Sequence, residues 1–109
     1  MNQLDKDIFD LKEERKVLLS LERLLLNQDF KKVILDDFLT KHPLNLIQGK
    51  GKLSLDPQQD QDINRQLDCV ALFKMYLDSK ISEIADIDIK ISNAETLRDQ
   101  QTSGNTNDY

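Results

Sequence analysis

Everything that punctuates or cross-links a fold is scarce in this chain. Its 109 residues contain one cysteine, one histidine, two prolines, three glycines and no tryptophan. A single cysteine, Cys69, excludes an intrachain disulfide and a cysteine cluster for zinc, and predicts a small buried apolar side chain at that position. A single histidine, His42, leaves any metal site to be built from carboxylates and leaves a nucleophile triad without material. The chain is therefore expected to be non-enzymatic, with no catalytic, metal or cofactor-binding residues. The glycines and prolines lie outside the strongly periodic segments, whereas a sheet protein needs turn residues about every 8 to 12 positions. No apolar run approaches the roughly 18 residues of a membrane span. The opening MNQLDKDIFD is acidic where a secretory leader is basic and then apolar, which predicts a soluble protein that is not secreted and has no membrane partner.

Positive charge is also in deficit, but unevenly. Residues 1–52 carry ten Lys or Arg against nine Asp or Glu, and residues 53–109 carry five against eleven. An acidic balance disfavours non-specific nucleic-acid binding, which depends on clustered cations to neutralise phosphates. A chain of this length buries only a modest core unless a second copy covers part of its surface, so self-association is expected.

What the sequence has in abundance is leucine and isoleucine at seven-residue spacing. Leu4, Leu11, Leu18 and Leu25 form one heptad series, widened by Ile8, Val17, Leu21 and Leu24. With no Gly or Pro in the segment, this predicts a helix over about 3–27 with a coiled-coil seam. Its last turns, VLLSLERLLL, are apolar almost all round and need cover on more than one side. A second series, Ile63, Val70, Leu77, Ile84 and Ile91, with Leu67 and Ile81 at the intermediate positions, predicts a helix over about 57–100, roughly 65 Å long. Asp56, Pro57 and Gln59 give it a start: an N-cap acid, a first-turn proline and a capping-box glutamine. Between them, Asp29 is the expected N-cap of a short helix over about 30–41, with Phe30, Val33, Ile34 and Phe38 on its buried face. Pro43 is expected to end it at His42. Leu44, Leu46 and Ile47 then form a small apolar patch expected to tuck against the core. The polar tail 101–109 is expected to be disordered.

The fold class this implies is all-α: an antiparallel helical hairpin or coiled coil of two long helices, with a short helix packed at the closed end, as one domain over 1–100. Matching the two series gives a core seam of Leu4, Leu11, Leu18, Leu25, Val70, Leu77, Ile84 and Ile91, with Leu4 near Ile91, Leu11 near Ile84, Leu18 near Leu77 and Leu25 near Val70. That register sets Glu22 favourably near Lys74 but Arg15 beside Lys80. Ile87 and Ile89 fall off the seam. Parallel self-association of the third helix is the competing use of its stripe.

The one stretch of different character is LIQGKGKLSLDPQQ. Gly49-Lys50-Gly51-Lys52 has the wrong spacing for a phosphate-binding P-loop and follows no strand. It reads as a solvated connection, with Lys41, Lys50 and Lys52 as the residues that would contact an anion or nucleic acid. Asp56, Asp60 and Asp62 lack the glycine and terminal glutamate of a calcium loop and are explained by the helix dipole. Asp36 and Asp37 point about 100° apart on a helix and form a solvated face. Phe38, Phe73 and Tyr76 read as core or interface aromatics.

The segment ERLLLNQDFKKVILDDFL, Glu22–Leu39, resembles small α-helical proteins encoded among the head and structural genes of tailed bacteriophages. The likeness is carried by Asn27, Asp29, Phe30, Lys31 and Ile34, followed later by the glutamine-rich start of a long closing helix. Where that pattern has a glycine and an aromatic, this chain has Asp37 and Phe38. The resemblance implies a non-enzymatic accessory role in a virion or in head assembly, in the host cytoplasm or the particle. It would act by homo-oligomerisation or by docking on a capsid, portal or scaffold protein. The competing reading is a small regulatory or host-directed binding module, an inhibitor or nucleic-acid accessory factor, working through the basic stretch 41–52.

Overall fold

The computed structural model describes the backbone of residues 2–52 and 55–106, and the side chains among them except those of residues 52 and 103–106. All the regular structure among these residues is helical, as the composition predicts. Helix α1 (Gln3–Leu25) starts where the Asp5 N–H donates to Asn2 Oδ1 at 2.8 Å. It ends as the amides of Leu26 and Asn27 turn back onto the carbonyls of Arg23 and Leu24, 3.1 and 3.0 Å away. Such three-residue bonds tighten a last turn and satisfy carbonyls that would otherwise be left over.

The next element begins two residues earlier than the sequence suggests. Asn27, not Asp29, is the cap: its Oδ1 accepts from the Phe30 N–H at 2.9 Å, opening the single turn α2 (Gln28–Phe30). Asp29 then lies in the first turn, where its charge meets the positive end of the helix dipole.

From there two expectations are overturned. Pro43 does not end the element; winding continues through it into α3 (His42–Lys52), and His42 itself is helical at φ −60°, ψ −53°. The intervening Lys31–Lys41 is wound more widely, as a π-helix. The His42 N–H reaches back to the Asp37 carbonyl, and the Thr40 hydroxyl donates to the Leu35 carbonyl at 2.8 Å, both five residues earlier. In an α-helix a proline ring collides with the carbonyl four residues back. The wider winding just ahead of Pro43 changes which carbonyl lies there, so the chain passes through without breaking. Partly buried positions recur every fourth residue, at Phe30, Ile34, Phe38, His42 and Leu46. A winding of roughly 4.4 residues per turn holds the first of these on one side better than 3.6 would.

The second correction concerns GKGK, which is the last turn of α3 and not a connecting loop. Neither Gly49 nor Gly51 has a positive φ, and a Cβ added to either meets nothing within 4 Å. Both glycines therefore carry only the entropic penalty of glycine in a helix. Gly49→Ala and Gly51→Ala are each expected to stabilise the protein by about 0.5–1 kcal/mol, read as a higher urea midpoint. A lower midpoint would mean that the segment needs glycine geometry, as a turn does. Leu44 and Ile47, expected to tuck inward, are exposed.

Helix α4 (Pro57–Thr106) begins as its sequence specifies. The Gln59 N–H donates to Asp56 Oδ1 at 2.8 Å and the Asp56 N–H to Gln59 Oε1 at 3.1 Å, a reciprocal capping box ahead of Pro57. The helix runs past the expected end at Gln100 to Thr106, so the first part of the predicted disordered tail is helical. Residues 107–109 of that tail lie outside the described residues.

The chain divides into two compact units, Met1–Glu22 with Lys80–Tyr109, and Arg23–Ser79. In the first, Leu18 is 1% exposed and clusters with Ile87 and Ile91, while Leu11 and Ile84 pack against them. Ile8 is buried as well. In the second, Val70 and Leu77 are buried. Of the other predicted seam residues, Leu4 and Leu25 are half-buried.

The register in the first unit differs from the heptad match. Leu18 clusters with Ile87 and Ile91, and Ile87, read from sequence as lying off the seam, is 4% exposed. Three ion pairs link the two segments of this unit: Asp5–Arg98 at 3.9 Å, Lys12–Glu95 at 3.8 Å and Arg15–Asp88 at 2.6 Å. Sliding a heptad series by about one repeat costs little apolar burial, because leucine or isoleucine replaces leucine or isoleucine. The slide moves Arg15 from beside Lys80 to Asp88. Each exposed pair contributes at most about 1 kcal/mol, so the three favour the observed register only slightly over one whose apolar contacts are nearly equivalent.

Candidate functional site

Of the residues expected to meet an anion, the side chains of Lys41 and Lys50 are described. Lys41 is exposed on the last turn of the π-helix. Lys50 is already engaged: its Nζ lies 3.2 Å from Asp60 Oδ1 and donates to Asn64 Oδ1 at 2.7 Å. That contact ties the end of α3 to the first turns of α4 and neutralises the charge the anion reading needs. The side chain of Lys52 lies outside the described residues. The acids at the start of α4 have local partners: Asp56 caps, Asp60 takes Lys50, and Asp62 lies 3.8 Å from Arg65. Among the described residues no group of His, Cys, Asp or Glu could hold a metal ion.

An open groove of about 400 Å³ in the first unit is lined by Lys12, Arg15, Lys16, Asp88, Ile91 and Glu95. Its charges are used against one another, Lys12 with Glu95, Arg15 with Asp88 and Lys16 with Glu13. Nearby, hydrogen bonding with Glu14, and then with Lys80 at 3.3 Å, holds the Glu83 carboxyl below its usual pKa. A group with a lowered folded pKa stabilises the fold above its unfolded pKa and loses that contribution as pH falls through the folded value. Glu83→Gln is therefore expected to lower the melting temperature at neutral pH and to flatten its decline on acidification, the two curves meeting in acid. Parallel curves would assign the decline to other carboxylates.

The surface left without cover is apolar, and most of it lies in the second unit. There Leu24, Leu26, Val33, Leu44, Ile47, and the Leu72–Tyr76 stretch of α4 are exposed to a third or more. The expectation that VLLSLERLLL needs cover is matched by the exposure of Val17, Leu24 and Leu26, the last at 70%. In α4 the sequence CVALFKMYL is apolar around most of its circumference. Val70 and Leu77 are buried on one side, while Leu72 (66% exposed), Met75 (67%) and Tyr76 (56%) point away from them. Residues three and four apart share a helix face, so these three form one contiguous apolar strip. Cys69 borders it and is exposed, correcting the buried position expected from its chemistry: it lies about 100° around the helix from Val70.

The aromatics behave as a structural group. Phe38 stacks on His42 with ring centroids 6.0 Å apart and meets Phe73 edge-on at 5.8 Å, so His42 has an aromatic face against it. Sequence reasoning missed His42 as part of this cluster, although the four-residue spacing Phe30, Ile34, Phe38, His42, Leu46 was there to be found.

The chain matches no protein-family model, no curated protein and no solved structure. No helix among the described residues is long and apolar enough to cross a membrane.

Proposed function

We propose that this is a non-enzymatic structural and interaction protein that works by docking its uncovered apolar faces on protein, built on an antiparallel hairpin of its two long helices. The observation that carries the reading is the strip Leu72, Met75 and Tyr76, more than half exposed in a stretch of α4, CVALFKMYL, that is apolar around most of its circumference. A helix of that kind is stable in water only when both sides are covered. The opposite run of the Asp5–Arg98, Lys12–Glu95 and Arg15–Asp88 pairs supports the hairpin. The resemblance of Glu22–Leu39 to small phage head-gene proteins supplies the setting: an accessory component of a bacteriophage virion or of head assembly. The regulatory reading through Lys41, Lys50 and Lys52 is weakened by the engagement of Lys50 with Asp60.

Mass spectrometry of purified phage particles tests the setting. A fixed copy number per particle, or presence in assembly intermediates, supports the virion or assembly role. Absence from both, with the protein free in the infected cell, would overturn it in favour of the regulatory module.

A further inference from the structure

The second unit, Arg23–Ser79, contains eight Lys or Arg and eight Asp or Glu, so its net charge is zero. The remaining seven Lys or Arg and twelve Asp or Glu, which give the chain its net charge of −5, all belong to the first unit. The electroneutral unit is also the one with the larger share of exposed large apolar side chains, and its only buried apolar side chains among the described residues are Val70 and Leu77. Charge and hydrophobicity together narrow what can cover the α4 strip. A strongly basic or acidic partner gains nothing from a neutral surface, and nucleic acid finds no cluster of cations there. A partner that is itself neutral and apolar fits, and another copy of this unit has that chemistry with no net charge repulsion.

We propose that the Cys69–Tyr76 face of α4 is a homotypic interface, on which the same face of a second copy lies antiparallel about a two-fold axis beside Leu72. This deepens the interaction role proposed above and rests on it. A two-fold contact is self-complementary: the patch on one copy meets the same patch on the other, so Leu72, midway along the strip, meets its own counterpart. Cys69 at one end then faces the larger Met75 and Tyr76 of the other copy, setting small against large. A strip of so few side chains offers on the order of a few hundred Å² per copy, short of the roughly 800 Å² per partner of a standard stable interface. The dimer is therefore reversible and concentration-dependent.

The test is light scattering and sedimentation of the full chain between about 1 μM and 1 mM, which spans the affinity of an interface this small. The mass is expected to rise from 12.7 kDa towards twice that value. Leu72→Lys and Leu72→Glu, each at a position exposed in the single chain, are each expected to keep helicity and remain monomeric, and mixing the two is expected to restore the dimer. Restoration on mixing requires position 72 to meet itself, which docking on an unlike surface does not produce. In the unaltered protein, maleimide labelling of Cys69 is expected to slow as concentration rises, a readout that survives if a variant fails to fold. A monomeric wild type with constant Cys69 labelling, or a dimer indifferent to both Leu72 variants, would overturn the proposal. The particle measurement is independent: a monomer found in particles rejects the homotypic interface alone, and a dimer absent from particles and assembly intermediates rejects the virion setting alone.

Discussion

Leu18→Ala is expected to lower the unfolding free energy by about 3–5 kcal/mol, the upper range for removing a large side chain from a closed site. Leu18 is the most deeply buried large side chain among the described residues, and its neighbours Ile87, Ile91, Leu11 and Ile84 come from two helices that cannot both collapse into the space it leaves. Against a total stability of about 5–15 kcal/mol for a domain, that loss is large enough to leave a substantial unfolded fraction at 37 °C. The control is Leu26→Ala at a site 70% exposed, where a change within about 0.5 kcal/mol is expected. Urea unfolding of both variants checks the pair. Equal effects at the two positions would mean that Leu18 is not the centre of the first unit's core.

Ile87→Ala is expected to cost about 2–4 kcal/mol, while Ile81→Ala costs less than about 1 kcal/mol. The heptad reading gives the reverse order, since Ile81 falls on the intermediate seam and Ile87 off it. The structure buries Ile87 to 4% exposure and leaves Ile81 at 41%. The comparison therefore reads out register directly, with little dependence on the absolute scale of either effect. A larger loss at Ile81 would restore the heptad match.

Local chemistry was legible where one residue and its near neighbours suffice. Asp56, Pro57 and Gln59 specify a helix start whatever the rest of the chain does, because both hydrogen bonds close within four residues. The second helix start was placed on Asp29 when Asn27 was equally competent. Two capping residues two positions apart give the same signal, and the choice depends on where α1 stops. Pro43 and the Gly-Lys run were misread for a related reason. Each is a strong local breaker, but a helix with tertiary contacts on one side tolerates local penalties of about 1 kcal/mol per glycine. Lys50 bound to Asp60 and Asn64, together with the Phe38–His42 and Phe38–Phe73 contacts, supplies such support. Cys69 shows the limit of residue type as a guide: its side of α4 is not the side that Val70 and Leu77 bury.

The sequence by itself determined that the chain is helical, that its long helices carry apolar stripes, and that more apolar surface exists than a chain of this size can hide. Spacing and composition carry those properties along the chain, and they survive any sliding of one helix on another. Only the tertiary structure decided the register and the face left bare. A heptad series is nearly degenerate under a shift of one repeat, so the partners of Leu18, Ile87 and Ile91, are a matter of tertiary packing, with the Arg15–Asp88 pair formed alongside, and the choice exists only once the two helices meet. The exposure of Leu72 and Met75 is decided the same way: the CVALFKMYL stretch of α4 is apolar around most of its circumference, and burial of Val70 and Leu77 on one side leaves the opposite strip in water.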